Sequence, residues 1–137
     1  MSNAVTKVKA APSDKAAQYF QSTLSFETDC WDMNDALNAG GEGFVLLDVR
    51  SPEAYEKGHV KGAINLPVGK IINSKLKQWP ENTLFVTYCA GPHCNGATKG
   101  AIKLAELGRP TKIMIGGITG WIDEGFSLIA EASQPGF

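Results

Sequence analysis

A chain of 137 residues, 43% apolar and 20% charged, is long enough to bury one core without disulfides or a structural metal, and too apolar to stay disordered. Its 13 basic and 14 acidic residues leave a net charge of −1, which gives nucleic acid or an anionic membrane no electrostatic hold. No apolar run nears the roughly 20 residues of a membrane helix, Met1–Ala11 lacks a secretory apolar stretch, and three cysteines, an odd number, suit free thiols in a reducing, cytoplasmic setting.

Residues 1–12 read as a tail and 13–137 as one domain. Ser13 is placed to cap a helix in which Ala17, Phe20 and Leu24 recur at helical spacing. This added helix, over residues 13–28, is expected to pack as an extra layer rather than to offer Tyr19 and Phe20 to a partner. A second helix is predicted over Trp31–Asn38, opened near Asp29 or Cys30 and stopped by Gly40-Gly41. The run Phe44–Val49 is continuous, apolar and rich in β formers, so it reads as a strand buried on both faces. Pro52–Lys57 suits a short helix with proline in its first turn, ended by Gly58. Ala63–Leu66 is a short strand closed by Pro67, and Gly69–Trp79 carries Ile71, Ile72, Leu76 and Trp79 at helical spacing. Thr83–Tyr88 is another buried strand. A helix over Gly96–Leu107 buries Ala97, Ala101, Leu104 and Ala105 and ends at Gly108, before a last strand at Lys112–Ile115. Strands alternating with helices imply a parallel sheet covered on both sides, with right-handed crossovers.

Ligands of such sheets sit outside the carboxyl ends of the strands. There the chain reads Cys89-Ala90-Gly91-Pro92-His93-Cys94-Asn95, running straight into the helix that starts at Gly96. A cysteine between a strand and a helix N-terminus is placed to favour its thiolate, because unpaired backbone N–H groups and the helix dipole stabilise negative charge. The small residues let the loop curl into an anion-binding nest. Pro92 lacks an N–H, which leaves at most five donors from Ala90 to Asn95. Cys89 is therefore the candidate nucleophile. Cys94 is either a resolving thiol able to pair with Cys89 or a plain loop residue. Cys30 reads as a buried structural thiol. His93 either supplies charge near Cys89 or is simply solvated. The spacing of Cys89, His93 and Cys94 lacks the paired motif of a structural zinc site, so no metal is expected.

Several motifs in order then carry a family resemblance: Asp48-Val49-Arg50-Ser51-Pro52-Glu53, Gly58-His59-Val60-Lys61-Gly62-Ala63-Ile64-Asn65, a strand ending in Cys89, and Gly116-Gly117-Ile118-Thr119-Gly120-Trp121. Together they resemble the rhodanese homology domain over about residues 31–130. The resemblance implies an α/β three-layer sandwich with a five-stranded parallel sheet flanked by helices, here with an extra N-terminal helix. It implies that Cys89 carries sulfane sulfur as a persulfide, without metal or organic cofactor. The partners it implies are a small-molecule sulfur donor, thiosulfate or a persulfide, and a thiol, cyanide or protein acceptor. The loop Ala90, Gly91, His93, Cys94, Asn95 and Gly96 would bind the substrate. Asp48, Arg50 and His59 would support the site: Asp48 by hydrogen bonds near the loop, Arg50 by an ion pair with Glu53 or an aspartate, His59 as a hydrogen-bonded buried residue.

One departure has chemical weight. Many single-domain members carry an arginine beside the cysteine or at the far end of the loop, where this chain has Ala90 and Asn95. A neutral amide cannot balance a phosphate dianion, which argues against a phosphatase, and a weakly charged persulfide fits better than thiosulfate. The alternatives to a sulfurtransferase are a non-catalytic binding or sensing module on the same fold, and a Cys89/Cys94 redox switch.

Overall fold

The computed structural model describes residues 2–131. Five strands form one all-parallel sheet: β1 (Glu27–Thr28), β2 (Phe44–Asp48), β3 (Ile64–Asn65), β4 (Leu84–Tyr88) and β5 (Thr111–Met114), in the spatial order β1-β5-β4-β2-β3. The helices are α1 (Ser13–Thr23), α2 (Cys30–Asn38), α3 (Pro52–Lys57), α4 (Asn73–Leu76), α5 (Gly96–Glu106) and α6 (Gly117–Asp123). The covered parallel sheet expected from strand–helix alternation is thus the one formed, with the five strands that the family resemblance implies. β2 and β4 pair along their whole length, from Phe44 opposite Leu84 to Asp48 opposite Tyr88, and their apolar runs are buried by helices on both faces.

The strand pleat sorts side chains into two cores. Leu46, Val86 and Tyr88 pack with Cys30 and Met33 of α2 and Trp121 of α6. On the other face Leu47 and Phe85 pack with Leu76 of α4 and Ala97 and Leu104 of α5. Leu47, Leu66, Phe85 and Leu104 are fully enclosed, each stabilising the fold by about 1.5–3 kcal/mol before the cost of ordering it. Local chemistry sets the helix starts. Asp29 Oδ1 accepts the Asp32 N–H at 2.8 Å and caps α2, while Ser51 Oγ accepts the Ala54 N–H at 3.2 Å ahead of Pro52 in α3.

Beyond Ala105 of α5, which is exposed rather than buried, two expectations need correction. The N-terminal helix ends at Thr23 and buries no residue; it is not a packed layer. Tyr19 and Phe20 are 65% exposed and Leu24 is 70% exposed. The reason lies just beyond it, where Glu27-Thr28 leaves helical conformation to pair with Ile113 and Met114 as the edge strand β1. That pairing fixes the chain at the sheet edge. Nor does Ser13 cap α1: Pro12 occupies the cap position and makes no side-chain bond. The second correction concerns Gly69–Trp79, which is broken rather than one helix. A 3-10 turn at Val68–Lys70 and the short α4 flank Ile71 and Ile72, both extended. Two successive β-branched residues disfavour helix, and Ile71 gains more by burying its side chain in the α5-side core.

Candidate active site

Cys89 follows β4 directly, so the pleat decides where its thiol points. Tyr88 faces α2 and α6; Cys89, one residue on, joins the core on the α5 side. It is 7% exposed. Its sulfur lies over the start of α5, since a Cβ on Gly96 would stand 2.7 Å from Cys89 Sγ and 3.4 Å from Cys94 Sγ. Any side chain at Gly96 would collide with the thiol. Asn95, at the cap position, makes no side-chain capping bond, so the first N–H groups of this 11-residue helix lack both intrahelical and cap partners beside the sulfur.

Cys89 and Cys94 are joined as a disulfide, with their Cα atoms 6.4 Å apart. The Cys94 N–H donates to Gly91 O at 3.1 Å. One of the loop's donors therefore closes the turn instead of facing an anion. The two cysteines, Gly91 and Pro92 line a cavity of about 250 Å³ whose other walls are Ala97 and Thr98 of α5 and residues 113–117. No lysine, arginine, histidine or carboxylate lines it. Ala90, His93 and Asn95 are exposed and lie outside this lining, and Gly96 acts behind the sulfur rather than as a wall.

The loop is lashed from behind by α6. The Ile118 N–H donates to Cys89 O at 3.1 Å, and the Thr119 N–H donates to Ala90 O at 2.9 Å. Thr119 Oγ1 donates to the same Ala90 carbonyl at 3.1 Å. Thr119 stands in the Gly116–Trp121 motif, but the sequence assigns neither its role nor the wall residues Thr98, Ile113, Met114 and Ile115. The usable signal was the adjacency of β5 to β4, which brings the segment after β5 beside the segment after β4.

Asp48 and Arg50 come together with Tyr88 in a separate cluster on the opposite face of the sheet, and His59 lies beside it between Gly58, whose carbonyl Arg50 reaches, and Val60, whose N–H donates to the Tyr88 hydroxyl. The buried Asp48 carboxylate accepts from the Arg50 N–H and Nε at 3.0 Å, from Arg50 Nη2 at 2.7 Å and from the Tyr88 hydroxyl at 2.6 Å. Arg50 pairs with Asp48, not Glu53, and its Nη2 also donates to Gly58 O at 2.6 Å. His59 is buried, stacks on Tyr55 with ring centroids 3.6 Å apart, and bonds Tyr55 O through Nδ1 at 2.8 Å. This cluster braces the ends of β2, β3 and β4. Its Tyr88 is joined to Cys89 as the next residue of the chain, but the two side chains belong to different cores.

Cys30 behaves as a structural thiol. It is buried, with Sγ 3.5 Å from Ile115 O and 3.6 Å from Gly117 O. Burial, then the charges of Asp29 and Glu124, push its pKa up to about 11. At neutral pH iodoacetamide should therefore alkylate Cys89 and Cys94 in the reduced protein and spare Cys30, with Cys30 labelling appearing only as the pH nears 11; peptide mapping reads this directly. A pKa raised in the folded state favours the protonated thiol, so this site's contribution to stability is present below about pH 9 and lost as the pH rises toward 11.

Among the described residues no group of three or more His, Cys, Asp or Glu side chains could hold a metal ion, and no helix is long and apolar enough to cross a membrane. Similar proteins place this architecture. The crystal structure of the BH2092 protein from Bacillus halodurans is 39% identical, covers 87% of each chain and superposes with a TM-score of 0.83. An HTH-type transcriptional regulator of Mycobacterium tuberculosis is 34% identical over 88 residues, 59% of this chain and 38% of the regulator. A tRNA sulfurtransferase of Thermoplasma acidophilum is 42% identical over 45 residues, 33% of this chain and 8% of that enzyme. The chain thus spans well under half the length of either curated relative. Residues 30–124 match the Rhodanese-like domain, and with the cysteine at the end of the central strand and the doubly flanked parallel sheet, the chain belongs to the rhodanese-like domain family.

Proposed function

We propose that the protein is a sulfurtransferase that loads sulfane sulfur onto Cys89 and passes it to a thiol, a protein thiol or cyanide. The observation that carries this reading is the position of the Cys89 sulfur, over the uncapped N-terminus of α5 and inside a cavity of about 250 Å³. Family membership and the similarity to a tRNA sulfurtransferase support it.

The disulfide is first reduced, because the thiolate is the nucleophile. Cys89 Sγ then attacks the outer sulfur of the donor. The donor S–S bond breaks and its electron pair leaves with a thiolate or, from thiosulfate, with sulfite. Cys89 is left as a persulfide, whose negative charge is met by helix and loop N–H groups. An acceptor nucleophile takes the outer sulfur and returns the Cys89 thiolate. The cycle is ping-pong and needs no general base. The uncharged cavity lining accommodates the singly charged persulfide group of a thiol donor better than the compact thiosulfate dianion. Free thiols of this kind operate in a reducing compartment, which fits a cytoplasmic setting.

The test is steady-state formation of thiocyanate from cyanide, with glutathione persulfide and thiosulfate as separate donors. Parallel double-reciprocal lines are expected, with the faster rate from the persulfide, after subtraction of the background measured with Cys89→Ser. Rates equal to that background with both donors would sink the proposal.

A further inference from the structure

The cavity holds a second sulfur. Cys94 lies five residues beyond Cys89, and its sulfur is bonded to that of Cys89, with a Cα separation of 6.4 Å that falls inside the ordinary range for a disulfide. Two features bring it there. The Cys94 N–H bond to Gly91 O folds the loop back, and the missing side chain at Gly96 leaves room for both sulfurs above α5. The two cysteines differ in access: Cys89 is buried, whereas Cys94 is exposed.

Resting on the sulfurtransferase reading, we infer that Cys94 is a resolving nucleophile that discharges the Cys89 persulfide as hydrosulfide when no external acceptor is present. The reach of Cys94 is to Cys89 Sγ itself, the inner sulfur of that persulfide. Its thiolate attacks there, the Cys94–Cys89 bond forms, and the bond from Cys89 Sγ to the outer sulfur breaks. The outer sulfur leaves with the electron pair and its proton as hydrosulfide. It has gained two electrons, and the two cysteine sulfurs have given them up as the disulfide. A thiol reductant resets the site. It attacks the accessible Cys94 sulfur, which makes Cys89 the leaving thiolate at the helix end and restores the loading nucleophile in the same step; a second thiol equivalent then frees Cys94. The domain would thereby convert a donor persulfide and two thiols into the donor's thiol, hydrosulfide and a disulfide.

The experiment is one anaerobic turnover. Fully reduced protein, freed of reductant, receives one equivalent of glutathione persulfide without acceptor, and hydrosulfide and intact mass are followed together. The natural chain is expected to release one hydrosulfide per chain and end two hydrogens lighter, with Cys89 and Cys94 linked. Cys94→Ser and Cys94→Ala are expected to end one sulfur heavier at Cys89 and to release no hydrosulfide beyond the Cys89→Ser background. If the natural chain also keeps the extra sulfur and releases no hydrosulfide, sulfur loading stands and the role of Cys94 is overturned. If the Cys94 variants gain no sulfur at all, the sulfurtransferase reading falls and this inference with it.

Discussion

Gly117→Ala is expected to cut thiocyanate formation about a hundredfold in a protein that still folds. A Cβ at this position would stand 2.5 Å from Cys89 O, 2.8 Å from Gly91 N and 3.0 Å from Gly91 Cα. These are backbone atoms of the loop that carries the sulfur, so relief requires that loop and α6 to move apart. Gly117 also has φ +60°, where alanine costs about 1–2 kcal/mol. Gly125 separates the two effects: its φ is +85° but nothing lies within 4 Å of an added Cβ. Gly125→Ala should therefore share the backbone cost and keep the full rate. Equal rates in the two variants would refute the idea that close approach of α6 positions the cysteine loop.

Removing the Asp48 carboxylate should have the largest effect on stability. Asp48→Ala leaves the half-buried Arg50 guanidinium and the buried Tyr88 hydroxyl without their shared acceptor, and such truncations cost about 3–5 kcal/mol. Burial alone works against charge on Arg50, but the hydrogen bonds and charge of Asp48 outweigh it and hold the guanidinium above its ordinary pKa. Burial, then the neighbouring carboxylate, keeps Tyr88 protonated far beyond the usual tyrosine range. Chemical denaturation should show the loss as a lower midpoint with an unchanged slope. Because the carboxylate lies across the sheet from the thiol, Asp48→Asn at a temperature where it is folded should change thiocyanate formation by less than about threefold, within the usual range for a change remote from the chemistry. A large loss of rate in folded Asp48→Asn would instead give this carboxylate a direct part in sulfur transfer.

The sequence was most informative where one physical signal dominated. Continuous apolar runs with β-forming residues located β2 and β4, and Pro52 marked the start of α3, because burial in a run and the fixed φ of proline do not depend on distant partners. Cys89 stood out for the same reason: a strand, a cysteine and a helix start are consecutive. Elsewhere the deciding partner was remote in the chain. Glu27-Thr28 has no apolar pattern and becomes a strand only because Ile113 and Met114 lie beside it. Ile71 leaves helical spacing because a core built by residues from four other segments receives its side chain. The Tyr88 hydroxyl reaches Asp48 only because strand pairing sets the two residues opposite each other, and the wall of the cavity came from the adjacency of β5 to β4. Spacing along one segment cannot encode such contacts.

The sheet is long at its centre and clipped at its margins: β2 and β4 have five residues each, whereas β1 and β3, which form the two edges, have two. An exposed edge is a template on which another chain can add a strand, and its danger grows with the length of unpaired backbone it presents. Here each margin offers barely one repeat of the ladder before the chain turns away. A fold that carries its candidate nucleophile at the tip of its most buried strand is thereby guarded against a different hazard, the growth of its sheet from one molecule into the next.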